Sequence, residues 1–308
     1  MSLRNQSNKG STTMASILVN PSAITALQSL RNTQSALNTT QKEISTGLKI
    51  SSAAENASTW AIAESMKSDK GVLSTISDSL SGAKSVLNVA TAAVKSAISV
   101  MNDIKNAVAQ AQQPGADQAK ILTSLQQLGS QLSSVVSSAT FTGLNVTDGS
   151  LTSPVSFIAS YNNGGGTAAS VVGTIDLTVT DLINTGGTGI LEAAQATGST
   201  AATDFTGLTA ADLAAATIAD TLSNADKAIA DLTTYAAEIG ATVARVSQQN
   251  EFIDTMKDAL TTGVSSLVDA DMNEASTRLQ ALQTQQQLGV QSLSIANQNA
   301  QMILKLFQ

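Results

Sequence analysis

The sequence predicts a mainly α protein: a long antiparallel helical hairpin, or coiled-coil rod, with paired terminal helices and a small β-rich excursion in the middle. The first observation is the closing stretch. Met272, Ala275, Leu279, Leu282, Gln286, Gly289, Leu293, Ala296, Ala300, Ile303 and Phe307 follow one another at alternating steps of three and four. That alternation draws a seam along one side of a helix. The second is an interior run, Leu73, Ile76, Leu80, Ala83, Leu87, Ala90, Val94, Ala97, Met101, Ile104 and Val108, with the same alternation and no polar member. The third is composition. Charged residues make up 13% and aromatics 3%, against 42% hydrophobic overall. Such a chain reads as a helical assembly protein rather than a compact globular domain.

In chain order, residues 1–13 are polar and aperiodic and read as a disordered leader before Met14-Ala15-Ser16. A helix is predicted from Pro21, a residue tolerated in a first turn, to a stop at Gly47. Leu30, Leu37 and Ile44 stand seven apart, as do Leu27, Gln34, Gln41 and Leu48, giving a two-position seam. Chain ends with similar seams bury both most simply by pairing with each other. Each terminal helix is expected to span some 35 residues, or roughly 50 Å. Lys49 to Lys70 reads as a linking stretch in which Trp60 is a packing residue. The interior helix follows, ended by Pro114-Gly115, and a shorter one carries Leu122, Leu125, Leu128, Leu132, Val135 and Ala139.

Phe141 to Asp204 is different. Turn signals separate short apolar runs, and Ile175 to Thr180 alternates as a half-exposed strand does. Asn162 to Gly166 and Gly186 to Gly189 suggest flexible loops. Thr209 and Asp212 resemble a capping box leading to a third long helix, with Leu222, Ala225, Ile229, Leu232, Ala236, Ile239, Val243, Val246, Asn250, Ile253, Lys257, Leu260, Val264 and Leu267 along its seam. The seam breaks between Leu267 and Met272, where Asp269 or Asp271 can cap the restart. The domain boundaries that follow are 14–48 with 269–308 as an inner core, 49–139 with 209–268 as a rod, and 140–208 as a variable surface region.

Chemistry is excluded by residue type. The chain has no Cys and no His, which removes thiolate chemistry and the commonest general base and metal ligand. Carboxylate pairs such as Asp269/Asp271 and Glu251/Asp254 read as caps and surface charges. No catalytic residue, metal or cofactor is expected, and the chain reads as a non-enzyme. A net charge of -7 argues against nucleic acid and anionic membrane as partners. The terminal helix carries charge only at Glu274, Arg278 and Lys305. Its remaining faces are amide-rich, as suits a helix enclosed by neutral neighbours.

Several separated motifs occur in order: Ser45-Thr46-Gly47-Leu48-Lys49-Ile50 through Trp60-Ala61-Ile62-Ala63-Glu64, Phe141-Thr142-Gly143-Leu144-Asn145, Leu267 to Glu274, Gln285 to Gly289, Ser294 to Gln298, and Leu304 to Phe307. With these the chain resembles bacterial flagellins of the alphaproteobacterial type, over about 14–145 and 210–308. The resemblance implies an extracellular subunit of the flagellar filament. It also implies export unfolded by a type III apparatus with a chaperone, polymerisation with copies of itself beneath a cap protein, and contact with hook-associated junction proteins. Two alternatives stay open: a hook–filament junction protein, and a flagellin-like surface ligand-binder. The filament-core interface is expected to use Ile24, Leu27, Leu30, Leu37, Ile44, Leu279, Leu282, Leu293, Ile303, Leu306 and Phe307, with the last three meeting Ile24 and Leu27. In the family an animal receptor contacts an Arg-Glu-Leu run on the long helix. The positions similar to it here are Lys105, Asn106 and Ala107, which lack the carboxylate and the large apolar group.

Overall fold

The structure, a computed structural model, describes residues 20–151, 153–163, 171–184 and 186–306, without the side chains of 299–301 and 303–306. The expected leader and the glycines at 164–166 lie outside these residues. In chain order the elements are α1 (Pro21–Thr46), α2 (Ala57–Ala111), α3 (Gln118–Ser138), β1 (Val155–Asn162), β2 (Val171–Leu177), α4 (Ile218–Val268) and α5 (Met272–Leu306). They form two compact units, one from the described residues up to Met66 with those from Thr262 onward, the other Lys67–Thr261.

In the first unit, α1 and α5 pack together. The Asn20 side chain accepts from the Ala23 amide, Pro21 occupies the first turn, and Gly47 closes α1 at φ 71°. A left-handed residue there is the usual helix stop. The chain then crosses to the join between α4 and α5, where Lys49 N donates to Val268 O at 2.7 Å and Ala270 N to Gly47 O at 2.9 Å. Of the two caps expected at this break, Asp271 serves: its Oδ1 accepts from Asn273 N and Glu274 N. The pair is antiparallel. Asn20 Nδ2 donates to Ala296 O at 2.9 Å, Gln286 Nε2 to Gln34 Oε1 at 2.7 Å, and Arg278 lies 3.8 Å from Glu43.

The Lys49–Lys70 stretch is not wholly a linker. Helix α2 has 55 residues and starts at Ala57, so Trp60 lies in its first turns. Asn56 begins it, its side chain accepting from Thr59 N at 3.1 Å. Ala, Glu, Met and Lys favour helix, and the intervening serines dilute the apolar marker by which a seam is read.

In the second unit, all eleven residues of the interior seam from Leu73 to Val108 are buried. Facing them on α4 are buried Ala225, Ala228, Leu232, Tyr235, Ile239, Val246 and Ile253. This face is wider than the two-position seam, because Ala228 and Tyr235 lie one further step round the helix. Helix α3 adds Leu125, Leu132 and Val136 to the same core. Its Gly129 is required by close approach, since a Cβ there would stand 2.7 Å from Phe205 O. Thr209 and Asp212 do meet, but not as a reciprocal box: Asp212 Oδ2 accepts from Thr209 N at 2.8 Å and from the Thr209 hydroxyl at 2.7 Å, while the Asp212 amide donates to the Thr209 carbonyl. The contact closes a turn, and α4 begins only at Ile218.

Among the described residues the middle region contains one antiparallel strand pair, β1 with β2, irregular between Ile158 and Ser160. Ile175, Leu177 and Val179 point inward, as the alternation predicts, although the strand itself ends at Leu177. Phe141 and Leu144 exchange backbone hydrogen bonds across Thr142 (φ 52°) and Gly143 (φ 83°). The glycines at 186–189 belong to a hydrogen-bonded turn rather than an open loop. Asn184 Oδ1 accepts from Gly186 N and Thr188 N, while Glu192 Oε2 accepts from Asn184 N at 2.7 Å.

Candidate assembly interface

The α1/α5 pair buries little. On α1 only Leu37 and Thr40 are buried, and on α5 only Ala275 among the residues with described side chains. On α5, Leu279, Leu282, Gln286, Gly289, Leu293 and Ala296 are half-buried, so the expected seam is the side that meets α1. On α1 the seam runs through Ala26, Leu30, Thr33, Leu37, Thr40 and Ile44, and Leu27, Gln34 and Gln41 are exposed. Two phases of a three-four alternation pass through Leu30, Leu37 and Ile44. The structure takes the one with small side chains, which lets the helices approach. Gly289 serves the same end: a Cβ there would stand 3.3 Å from Leu30 Cδ1.

This register corrects one expectation. Asn20 meets Ala296 and Leu30 meets Gly289, so Ile24 and Leu27 lie beside the stretch between Gly289 and Ala296. They do not meet the end of the chain. The side chains of Ile303, Leu306 and Phe307 lie outside the described residues. Of the other expected interface residues, Leu30, Leu37, Ile44, Leu279, Leu282 and Leu293 face the intramolecular pair. Ile24 and Leu27 face solvent.

Sequence reading missed a second stripe. Leu288, Ile295 and Met302 stand seven apart and are 58%, 59% and 63% exposed. At 100° per residue they lie roughly 150° round α5 from its seam. A large apolar residue repeating every seven positions out of phase with the seam was the available signal. Gln291, Ser294 and Gln298, polar and uncharged, are exposed beside the stripe. Large apolar groups on a helix already paired on its other side form a surface for another protein.

One electrostatic clasp holds the turn after α1. The Glu55 carboxylate accepts from Lys42 Nζ at 2.7 Å and from Ser51 N at 2.6 Å. These contacts, Lys42 first, pull its pKa down to about 2. In the other unit, Tyr235 is buried, donates to Val146 O at 2.6 Å, and has its phenol pushed up to about 12 by burial. Lys105 is half-buried and ion-paired with Asp226, Asn106 is exposed, and Ala107 is half-buried. Among the described residues no group of three or more carboxylates could hold a metal ion, and no helix is long and apolar enough to cross a membrane. Asp254, expected as surface charge, pairs with Lys257 at 3.2 Å.

Comparison with known proteins gives a consistent result. The family described as bacterial flagellin N-terminal helical region matches residues 17–152, and that described as bacterial flagellin C-terminal helical region matches 222–307. The chain is 40% identical over 296 residues to a flagellin of Brucella melitensis, covering 96% of this chain and 100% of that one. It is 38% identical to flagellin C of Rhizobium meliloti, at 96% and 100% coverage. With flagellin FljM of Caulobacter vibrioides the identity is 33%, at 95% and 98% coverage.

Proposed function

The chain belongs to the bacterial flagellin family, and on that premise we propose how its surface assembles. It is a structural subunit of the extracellular flagellar filament, and it polymerises with copies of itself. The observation that carries the proposal is the exposed stripe of Leu288, Ile295 and Met302 on a helix already paired through its opposite side. Neighbouring copies cover that stripe together with Ile24 and Leu27. Leu30, Leu37, Ile44, Leu279, Leu282 and Leu293 hold the α1/α5 pair that presents it, and Ile303, Leu306 and Phe307 extend the interface. Each copy offers one surface to a different surface of the next. Such head-to-tail contacts propagate as a helix when the rotation does not close.

In this reading 14–48 with 269–308 forms the filament core, 49–139 with 209–268 the rod, and 140–208 the outer surface. The further partners are the export apparatus and its chaperone, the cap protein under which subunits add, and the junction proteins at the hook. The chain does no covalent chemistry, and its function is mechanical. Lys105, Asn106 and Ala107 offer no carboxylate and no large apolar side chain, which supports weak engagement of the animal receptor. Gold-labelling of this chain on filaments of the producing cell tests its role. Label along the whole length is expected. A single labelled ring at the hook end would make it a junction protein instead.

A further inference from the structure

The turn Phe141-Thr142-Gly143-Leu144 is strained and anchored from beneath. Thr142 is β-branched and stands at φ 52°, a conformation such residues rarely adopt. Glycine would make the same turn without that cost. The three residues that follow are buried and pinned. Asn145 Nδ2 donates to Val136 O at 2.8 Å, Asn145 Oδ1 accepts from Thr147 N at 2.9 Å, and Tyr235 donates to Val146 O at 2.6 Å. What this fixed base carries is apolar and open: Phe141 is 36% exposed and Leu144 41%. No residue from Ser138 to Thr147 is charged. A strained turn on such a base holds its apolar pair in one arrangement, which lowers the ordering cost of binding.

The same unit offers a matching surface on α4. Phe252 is 54% exposed and Met256 36%, and they stand one turn apart beside the seam of Val246 and Ile253. Gln248, Thr255 and Ala259 are exposed around them and uncharged. The nearest charge on that face, Arg245, is seven residues or about 10 Å before Phe252. Ile158, Val171 and Val172, the other exposed large apolar residues described in this unit, lie on the strand pair, where Asp176 is also exposed. Within one chain the turn and the α4 surface cannot meet. From Tyr235, which holds the base of the turn, to Phe252 is about 26 Å along α4. Leu144 is two residues from Val146, a reach of about 7 Å.

We propose that the Phe141–Leu144 turn of one copy seats on Phe252 and Met256 of the next, a contact that presupposes polymerisation of the chain with copies of itself. Both surfaces belong to one compact unit, so every contact leaves a free turn at one end and a free α4 face at the other. Such a contact repeats head to tail rather than closing on itself. A charged partner finds no counter-charge on either surface, whereas a second copy brings the missing half of each.

The chain has no Cys, so thiols can be placed at will. Filaments are grown from seeds with a mixture of Leu144→Cys and Met256→Cys copies, then treated with bismaleimidoethane, a short thiol–thiol linker. A covalent dimer is expected from the mixture, none from either variant alone, and none from dispersed monomers at the same concentration. Copies carrying both substitutions should give a ladder of oligomers. A dimer without higher rungs would mean a closed pair and overturns the head-to-tail contact. So does a link from Leu144→Cys to Ile295→Cys in its place, or no link in filaments that grow normally. Failure of the parent chain to elongate seeds would instead remove the assembly reading, and this contact with it. Leu144→Ser and Phe252→Ser should each raise the critical concentration about three- to tenfold at unchanged helix content. Together they should raise it by less than the product, because each removes the other's partner. A full product would show that the two surfaces do not touch.

Discussion

Ile295 allows the assembly surface to be tested separately from the fold of the monomer. It is 59% exposed, so more than half of its side chain is still in contact with water in the monomer. Complete burial of such a side chain is worth about 1.5–3 kcal/mol, so covering the remainder contributes about 1–2 kcal/mol per subunit. Ile295→Ala loses most of that. With 1.4 kcal/mol corresponding to tenfold, the critical concentration for growth should rise about five- to tenfold. Ile295→Asp does more, because it places an unpaired carboxylate among neutral amides. An uncompensated buried charge costs about 3–5 kcal/mol, so the critical concentration should rise by roughly a hundredfold or more. The monomer should hardly notice either change, since the seam that meets α1 runs through Leu282, Gly289 and Ala296 instead. Purified variants are added to filament seeds over a range of monomer concentrations, and elongation is measured alongside helix content by circular dichroism. Asn163→Lys is the control. Its amide donates to Asp69 Oδ1 at 3.1 Å, and a lysine there can pair with the same carboxylate. Growth of Ile295→Asp at the parental critical concentration, with unchanged helix content, would show that the stripe is not covered in the filament. The assembly reading would then lose its main support.

Tyr235→Phe removes the donor to Val146 O from a buried site. A loss of about 1–3 kcal/mol and a fall of a few degrees in Tm are expected, read by thermal denaturation. The Glu55 carboxyl, held at about 2 against an ordinary 4.5, contributes stability above its unfolded pKa that is lost as pH falls from about 4.5 through 2. An NMR titration should find it still ionised at pH 3, and Lys42→Met should raise its midpoint toward the ordinary range. A midpoint unmoved by that change would mean the Ser51 amide holds the carboxylate alone. Purified monomer is expected to activate the animal flagellin receptor weakly or not at all in a reporter-cell assay, given Lys105, Asn106 and Ala107. Signalling at the strength of a flagellin carrying the Arg-Glu-Leu run would refute that.

Periodicity within a single helix was decided by the sequence itself. Every member of the Leu73–Val108 seam is buried, and on α5 the members from Ala275 to Ala296 are the residues turned toward α1. Stops and caps that depend on neighbouring residues were legible for the same reason: Pro21, Gly47 and Asp271 act through atoms a few positions away. The start of α2 was not, because serine-rich sequence carries helix without an apolar stripe to mark it. Partnership between distant segments required the tertiary structure. Nothing in α1 alone chooses Ala26, Thr33 and Thr40 over Leu27, Gln34 and Gln41; that choice follows from how closely α5 approaches. The period of a seam says which residues share a face but is nearly indifferent to sliding, so it misplaced Ile24 and Leu27 against the end of the chain. Tyr235 meets its acceptor across 89 residues, a distance no local pattern encodes. The stripe of Leu288, Ile295 and Met302 was present in the sequence as a repeat. Only the packed pair revealed that it faces away from α1, because exposure depends on which partner has already covered the other side of the helix.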